Sequence, residues 1–272
     1  MHSQFEEELG FRPLLHGPTY DDFISQDAQN GAALVAKYTF AAPDDSVKHE
    51  EHKTDSGVRL KSYTPSTFKP SQPIIFYVHG GGYILGSVDL DDRFCDRHAK
   101  DTGCKVVSVE YRLAPEHKHP AALVDCVEGA GWCIDNSESL DCLKGRIVIM
   151  GKSAGGALAL GTALKLIEGG CGANVLGVVA CQPCAVHPEN LPPGTKKEEY
   201  TSYDENAENT VNTKAGMLAF YELYGAPTND PFTFPLAHPM LGFIPSVYMN
   251  ACGADTLRDD ARCLKAKLEE NA

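Results

Sequence analysis

An α/β architecture, with a mainly parallel sheet flanked by helices, is what these 272 residues predict, and three observations carry the expectation. Short apolar runs at 74–78, 105–111, 147–150 and 175–180 have the length and β-branched content of strands buried on both faces. Stretches with apolar residues at helical spacing separate them, so strands and helices alternate as a parallel sheet requires. A hydrophobic share of 43% over this length is enough to bury one large core.

Taken in order, residues 1–50 hold two amphipathic stretches, 5–15 and 20–38, which predict a helical cap or lid ahead of a core spanning 51–272. Residues 52–63 alternate polar and apolar around an Asp55-Ser56-Gly57 turn, the pattern of an antiparallel outer strand or hairpin. The strand at 74–78 ends in His79-Gly80-Gly81-Gly82-Tyr83. Three successive glycines let the backbone approach a ligand and turn its N–H groups inward, as binding an oxyanion requires. A phosphate loop is the rival reading, but no Lys-Ser/Thr pair follows. His117 and His119 could form a metal pair, yet no third ligand is near, and loop-pinning histidines are the simpler expectation. A helix at 120–134 opens on proline.

The strand at 147–150 runs into Gly151-Lys152-Ser153-Ala154-Gly155-Gly156, and an apolar helix follows at once. This G-x-S-x-G sits between strand and helix, the context that distinguishes a nucleophile turn from an accidental match. Such a turn holds a serine hydroxyl out at the carboxyl end of the sheet, beside the free N–H groups of a helix start. After Gly169 and Gly170, residues 175–180 predict another strand, and 186–232 form a long Pro/Asn/Glu/Thr-rich excursion with a helical patch at 215–224, predicted as a second cap element. A strand at 246–251 and a helix at 258–268 complete the prediction, with Asp259 and Asp260 placed to favour the helix start.

The formal charge of −13 argues against nucleic acid or an anionic membrane as partner. No apolar run is long enough to span a bilayer and the acidic start is unlike a signal peptide, so a cytoplasmic location is expected. Ten scattered cysteines suit reduced, buried thiols, and Cys181-Gln182-Pro183-Cys184 reads as a turn after a strand rather than half of a zinc site.

With these motifs assembled, the sequence resembles the hormone-sensitive lipase-like family of α/β-hydrolases over about 74–268. His79-Gly80-Gly81-Gly82 is similar to that family's oxyanion loop, Tyr111-Arg112-Leu113-Ala114-Pro115-Glu116 to its structural hexapeptide, 151–156 to its nucleophile elbow and 255–260 to its acid segment. The resemblance implies the α/β-hydrolase fold and cofactor-free hydrolysis of small to medium carboxylic esters. Ser153 would be the nucleophile, the N–H groups of Gly81, Gly82 and Ala154 the oxyanion hole, and Asp255 the triad acid. Tyr83 and Lys152 would border the substrate pocket, and no metal or cofactor is implied.

Two departures stand out. Lys152 replaces an acid common in the family, and the family's histidine follows its aspartate by about 30 residues, whereas here none follows His238. The resemblance therefore implies a last strand, triad histidine and final helix that these residues do not contain. The alternative is a non-hydrolytic small-molecule binding protein, since the gibberellin receptors resemble the same family and lack that histidine. A sheet without its last strand would leave 246–251 as an unpaired edge, through which a homodimer is possible.

Overall fold

The computed structural model describes residues 4–10, 12–15, 17, 19–38, 45–209 and 211–270. Two helices, α1 (Gln4–Leu9) and α2 (Tyr20–Lys37), bracket a two-residue strand, β1 (Leu14–Leu15). The stretch 5–15, expected as part of a helical cap or lid, is helical only in its first half. Thr19 starts α2 with a capping box: its hydroxyl accepts from the Asp22 N–H while Asp22 accepts from the Thr19 N–H.

The hairpin follows as β2 (Val47–Lys53) and β3 (Arg59–Pro65), antiparallel, with Lys53 opposite Arg59. Then come β4 (Ile74–Val78), α3 (Asp92–Thr102), β5 (Val106–Val109), α4 (Ala121–Asp135), β6 (Ile147–Lys152), α5 (Ala154–Glu168) and β7 (Val175–Cys181). The insertion holds α6 (Ser202–Glu205), β8 (Val211–Asn212) and α7 (Lys214–Tyr224), and β9 (Val247–Asn250) and α8 (Arg258–Glu270) close the described chain.

The main sheet runs β2-β3-β5-β4-β6-β7-β9, antiparallel at β2, β3 and β5 and parallel from β5 to β9. Its centre, β4 beside β6, is buried on both faces because α4 and α5 pack against one face and α3 against the other. Twelve of the fifteen residues of α5 are buried, which accounts for an apolar surface too broad for an ordinary amphipathic helix. At the far side β9 is an edge strand, with Tyr248 62% exposed.

The N-terminal segment and the insertion dock on each other. Leu14–Leu15 pairs in parallel with Val211–Asn212, and Phe23 of α2 stacks on Phe220 of α7 with ring centres 4.6 Å apart. Among the described residues no helix is long and apolar enough to cross a membrane.

Candidate active site

Ser153 occupies the turn between β6 and α5 at φ 54° and ψ −124°, a conformation costly for a residue with a side chain. The surroundings impose it. The Ser153 N–H donates to the Cys181 carbonyl at 2.8 Å, and the first turn of α5 is pressed against the end of β4. A Cβ at Gly155 would run into the carbonyl oxygens of Val78 and His79, so only glycine lets α5 start this close to the sheet. Ala154 opens α5, leaving its N–H without an intrahelical acceptor.

The glycine loop abuts this turn. A Cβ at Gly80 would lie 3.5 Å from the Ser153 Cβ. Gly82, at φ 61°, faces the ring of Phe220, which a Cβ there would meet at 2.5 Å. Among the described residues no protein acceptor is bonded to the N–H of Gly81 or Gly82. His79 lies beneath, stacked on Tyr111 at 4.1 Å, and its Nδ1 contacts the Gly80 carbonyl at 2.8 Å. Burial lowers its pKa, which keeps the ring neutral. The Tyr111 hydroxyl, from the hexapeptide after β5, donates to the His79 carbonyl at 3.0 Å. The hexapeptide thus supports the loop from below.

Asp255 lies half-buried in the turn between β9 and α8. Its Oδ1 accepts from the Leu257 N–H at 3.1 Å and the Thr256 hydroxyl at 3.3 Å, with the Asn212 amide at 3.5 Å. No described histidine is bonded to it. His49 meets Asp96, His52 meets Ser62, His119 lies near Tyr224 and Asp230, and His238 lies near Glu168. Burial pushes the Cys184 thiol up, the charge of Asp255 adds to that rise and hydrogen bonding with Ser153 opposes it.

The two residues expected to border a pocket pack against protein groups. The Lys152 ammonium is held by Asp91 at 2.8 Å and covers the Phe94 ring, which ties the elbow to α3. Tyr83 is fully buried, stacked on Tyr224 at 4.1 Å, with a hydroxyl that has no hydrogen-bond partner among the described residues.

Asp259 and Asp260, expected only to favour a helix start, are fully buried and pin the insertion. Asp260 accepts from the N–H groups of Ala185 and Val186 at 2.8 and 3.1 Å and from the Tyr200 hydroxyl at 2.7 Å. Asp259 accepts from the N–H groups of Thr201 and Ser202 at 2.9 and 2.8 Å, and from Arg258. Desolvation dominates at Asp260 and pushes its carboxyl up to about 7. At Asp259 desolvation is outweighed by Arg258 and the two N–H donors, which hold the carboxyl well below its usual range. In the Cys181–Cys184 pair Cys181 is half-buried and Cys184 wholly buried, and among the described residues no group of three His, Cys, Asp or Glu could hold an ion.

A family model described as alpha/beta hydrolase fold matches residues 75–272. The chain belongs to that family. A versiconal hemiacetal acetate esterase of Aspergillus parasiticus is 43% identical over 266 residues, which cover 98% of this chain and 82% of that protein. An Aspergillus terreus protein named FAD-linked oxidoreductase pytB is 43% identical over 249 residues, 91% of this chain but 30% of that one. Among solved structures, a hyperthermophilic esterase from the archaeon Pyrobaculum calidifontis superposes with a TM-score of 0.77 at 30% identity, covering 95% of this chain and 81% of that one.

Proposed function

We propose that this carboxylic ester hydrolase works through an acyl-enzyme on Ser153. The Ser153 oxygen attacks the ester carbonyl, the carbonyl oxygen gathers negative charge, and the N–H groups of Gly81, Gly82 and Ala154 receive it. Collapse breaks the bond to the alcohol, which takes a proton as it leaves, and water then cleaves the acyl-serine. The observation that carries this reading is the strained elbow abutted by a loop whose N–H groups have no protein acceptor. Asp255 serves as the triad acid, orienting a base. The N-terminal segment and the insertion, docked through β1–β8 and Phe23–Phe220, act together as a cap over the serine. The likeness to a versiconal hemiacetal acetate esterase supports small-molecule esters with a short acyl group as the substrate class.

The triad base is the part these residues do not supply, since no histidine follows His238. The second reading is a pocket on the same fold that binds a small molecule without hydrolysing it, favoured by an Asp255 to which no described histidine is bonded. Intact-mass analysis after incubation with p-nitrophenyl acetate or a fluorophosphonate separates the two. The esterase reading expects a single adduct on Ser153, lost in Ser153→Ala. Hydrolysis that survives Ser153→Ala overturns it, and the absence of any adduct gives the second reading preference.

A further inference from the structure

The glycine loop does not keep its shape unaided. Gly81, Gly82 and Tyr83 have φ values of 124°, 61° and 68°, so three successive residues lie in the left-handed half of conformational space. Glycine enters that half freely, whereas a residue with a side chain is strained there. Tyr83 is therefore the member of the three whose backbone its surroundings must impose. Two contacts do so. Its carbonyl accepts from the Ala114 N–H at 3.0 Å, and its buried ring lies flat on that of Tyr224, with centres 4.1 Å and planes 10° apart. No hydrogen bond pins the Tyr83 hydroxyl among the described residues, so packing alone places the ring. Tyr224 is the last residue of α7, and Phe220, one turn earlier, shares its face of that helix. Phe220 is the side chain against which Gly82 lies, so one face of α7 covers two consecutive loop residues. That face is itself anchored: the Tyr224 carbonyl accepts from the His119 N–H at 2.9 Å, and Phe220 is backed by Phe23 of α2 at 4.6 Å.

We propose that Tyr224 and Phe220 are positioning residues for the oxyanion donors, with α7 of the insertion keeping the loop in the conformation that aims the Gly81 and Gly82 N–H groups. This rests on the acyl-enzyme reading and deepens it, because the insertion then sets the rate of the chemistry as well as covering Ser153. The link is stereochemical. A peptide unit is planar, so the direction of each N–H follows from the φ and ψ on either side of it. The Tyr83 carbonyl is tied to Ala114, so a Tyr83 released from its stack relaxes toward ordinary φ by turning the peptide planes that precede it, and those carry the donors. Donors for a charge that develops only in the transition state act by being in place beforehand. Misaiming them lowers the rate of acylation without weakening the hold on the neutral ester.

The experiment follows acylation of Ser153 by p-nitrophenyl acetate in the full chain as the burst of p-nitrophenolate. Intact mass and peptide mapping place the acetyl group, and Ser153→Ala supplies the blank. Each protein gives a maximal rate constant, a half-saturating concentration and an amplitude. Tyr224→Leu removes the stacked ring and should lower the rate constant by about tenfold or more, toward the roughly 10²–10³ that loss of one donor costs, with half-saturation unchanged. Tyr224→Phe keeps the ring and should behave as wild type. Phe220→Leu should lower the rate constant in the same direction, and it carries the test if thermal melting shows Tyr224→Leu to be unfolded. A merely structural role gives a different signature, because a smaller folded fraction reduces the amplitude and leaves the rate constant alone. A wild-type rate constant in folded Tyr224→Leu or Phe220→Leu overturns the proposal while leaving Ser153 acylation intact, as does a Tyr224→Phe protein that falls as far as Tyr224→Leu. If wild type itself takes no acetyl group on Ser153, the acyl-enzyme reading falls and this proposal with it.

Discussion

Replacing Asp260 with asparagine should remove a pH dependence that one buried carboxyl imposes on the whole fold. The Asp260 side chain is 0% exposed, and its pKa is raised from 3.8 to about 7, chiefly by desolvation, against the pull of Tyr200 and two backbone N–H donors. A carboxyl with a raised pKa holds its proton more tightly when folded than when unfolded. Its contribution is therefore complete below pH 3.8, declines as pH rises from 3.8 to about 7, and is flat above. Each unit is worth about 1.4 kcal/mol, so between pH 5.5 and pH 8 wild type should lose roughly 2 kcal/mol relative to a variant that cannot ionise. For a chain of this size that is about 5 °C in melting temperature. Asparagine at 260 keeps an acceptor for the Ala185 and Val186 N–H groups and can donate to the Tyr200 oxygen, so packing is preserved. Melting curves of wild type and Asp260→Asn at fixed ionic strength across pH 5.5–8.5 give the difference directly, with every histidine cancelling between the two. Wild type should lead at the acid end and lose that lead toward pH 8. A difference that does not vary with pH would show three donors sufficient to keep the carboxylate ionised throughout, and the reasoning would fail.

Gly155→Ala should destabilise the protein by roughly 1–3 kcal/mol in denaturant unfolding, because the new Cβ meets two main-chain carbonyls that cannot rotate away, and Ser153 labelling by a fluorophosphonate should fall with it. Lys152→Ala should cost under about 1 kcal/mol, since its ion pair with Asp91 is partly exposed, and should leave Ser153 labelling unchanged. A marked loss of labelling in that variant would return the ammonium to the pocket.

The elements that fix Ser153 were readable because each has one dominant period. Residues 147–150 are continuously apolar, the following helix is apolar nearly all round, and the glycines on either side of the serine have no substitute at that spacing. Helix α3, by contrast, has only a short apolar stripe of Phe94, Cys95 and Ala99 in a strongly charged sequence, and its inward face also includes Asp96, bonded to His49 at 2.6 Å, and Asp92, which accepts from Lys61 and Tyr63 at its start. A stripe of three apolar residues among so many charges leaves a faint hydrophobic period to read. The β1–β8 pair is two residues long on each side, shorter than any alternation. Cys184 read as a turn residue because proximity to Ser153 depends on where β7 ends relative to β6, which is set by the register Lys152↔Cys181 and not by local composition. Asp259 and Asp260 suited a helix start whether exposed or buried, so their hold on the insertion needed coordinates.

That hold has a mechanical consequence for the proposed acid. Asp255, Asp259 and Asp260 carry the same functional group within one short stretch, and their surroundings divide the work among them. Asp255 is half-buried, and among the described residues only its Oδ1 is engaged, which leaves the other oxygen for a base. Asp259 is kept ionised by Arg258 and the N–H groups of 201 and 202, and Asp260 grips the N–H groups of 185 and 186. Four backbone hydrogen bonds thus run from the first turn of α8 to the insertion, two on each side of its loop at 187–199. Asp255 precedes that turn by three residues and is capped by the N–H of Leu257, so it cannot shift without straining the same bonds. The insertion reaches back as well: Asn212 and Asn206 contact Asp255 at its side chain and its carbonyl. Acid and insertion therefore move as one unit, so a disturbance of the insertion far from Ser153 should reach the chemistry through the position of Asp255.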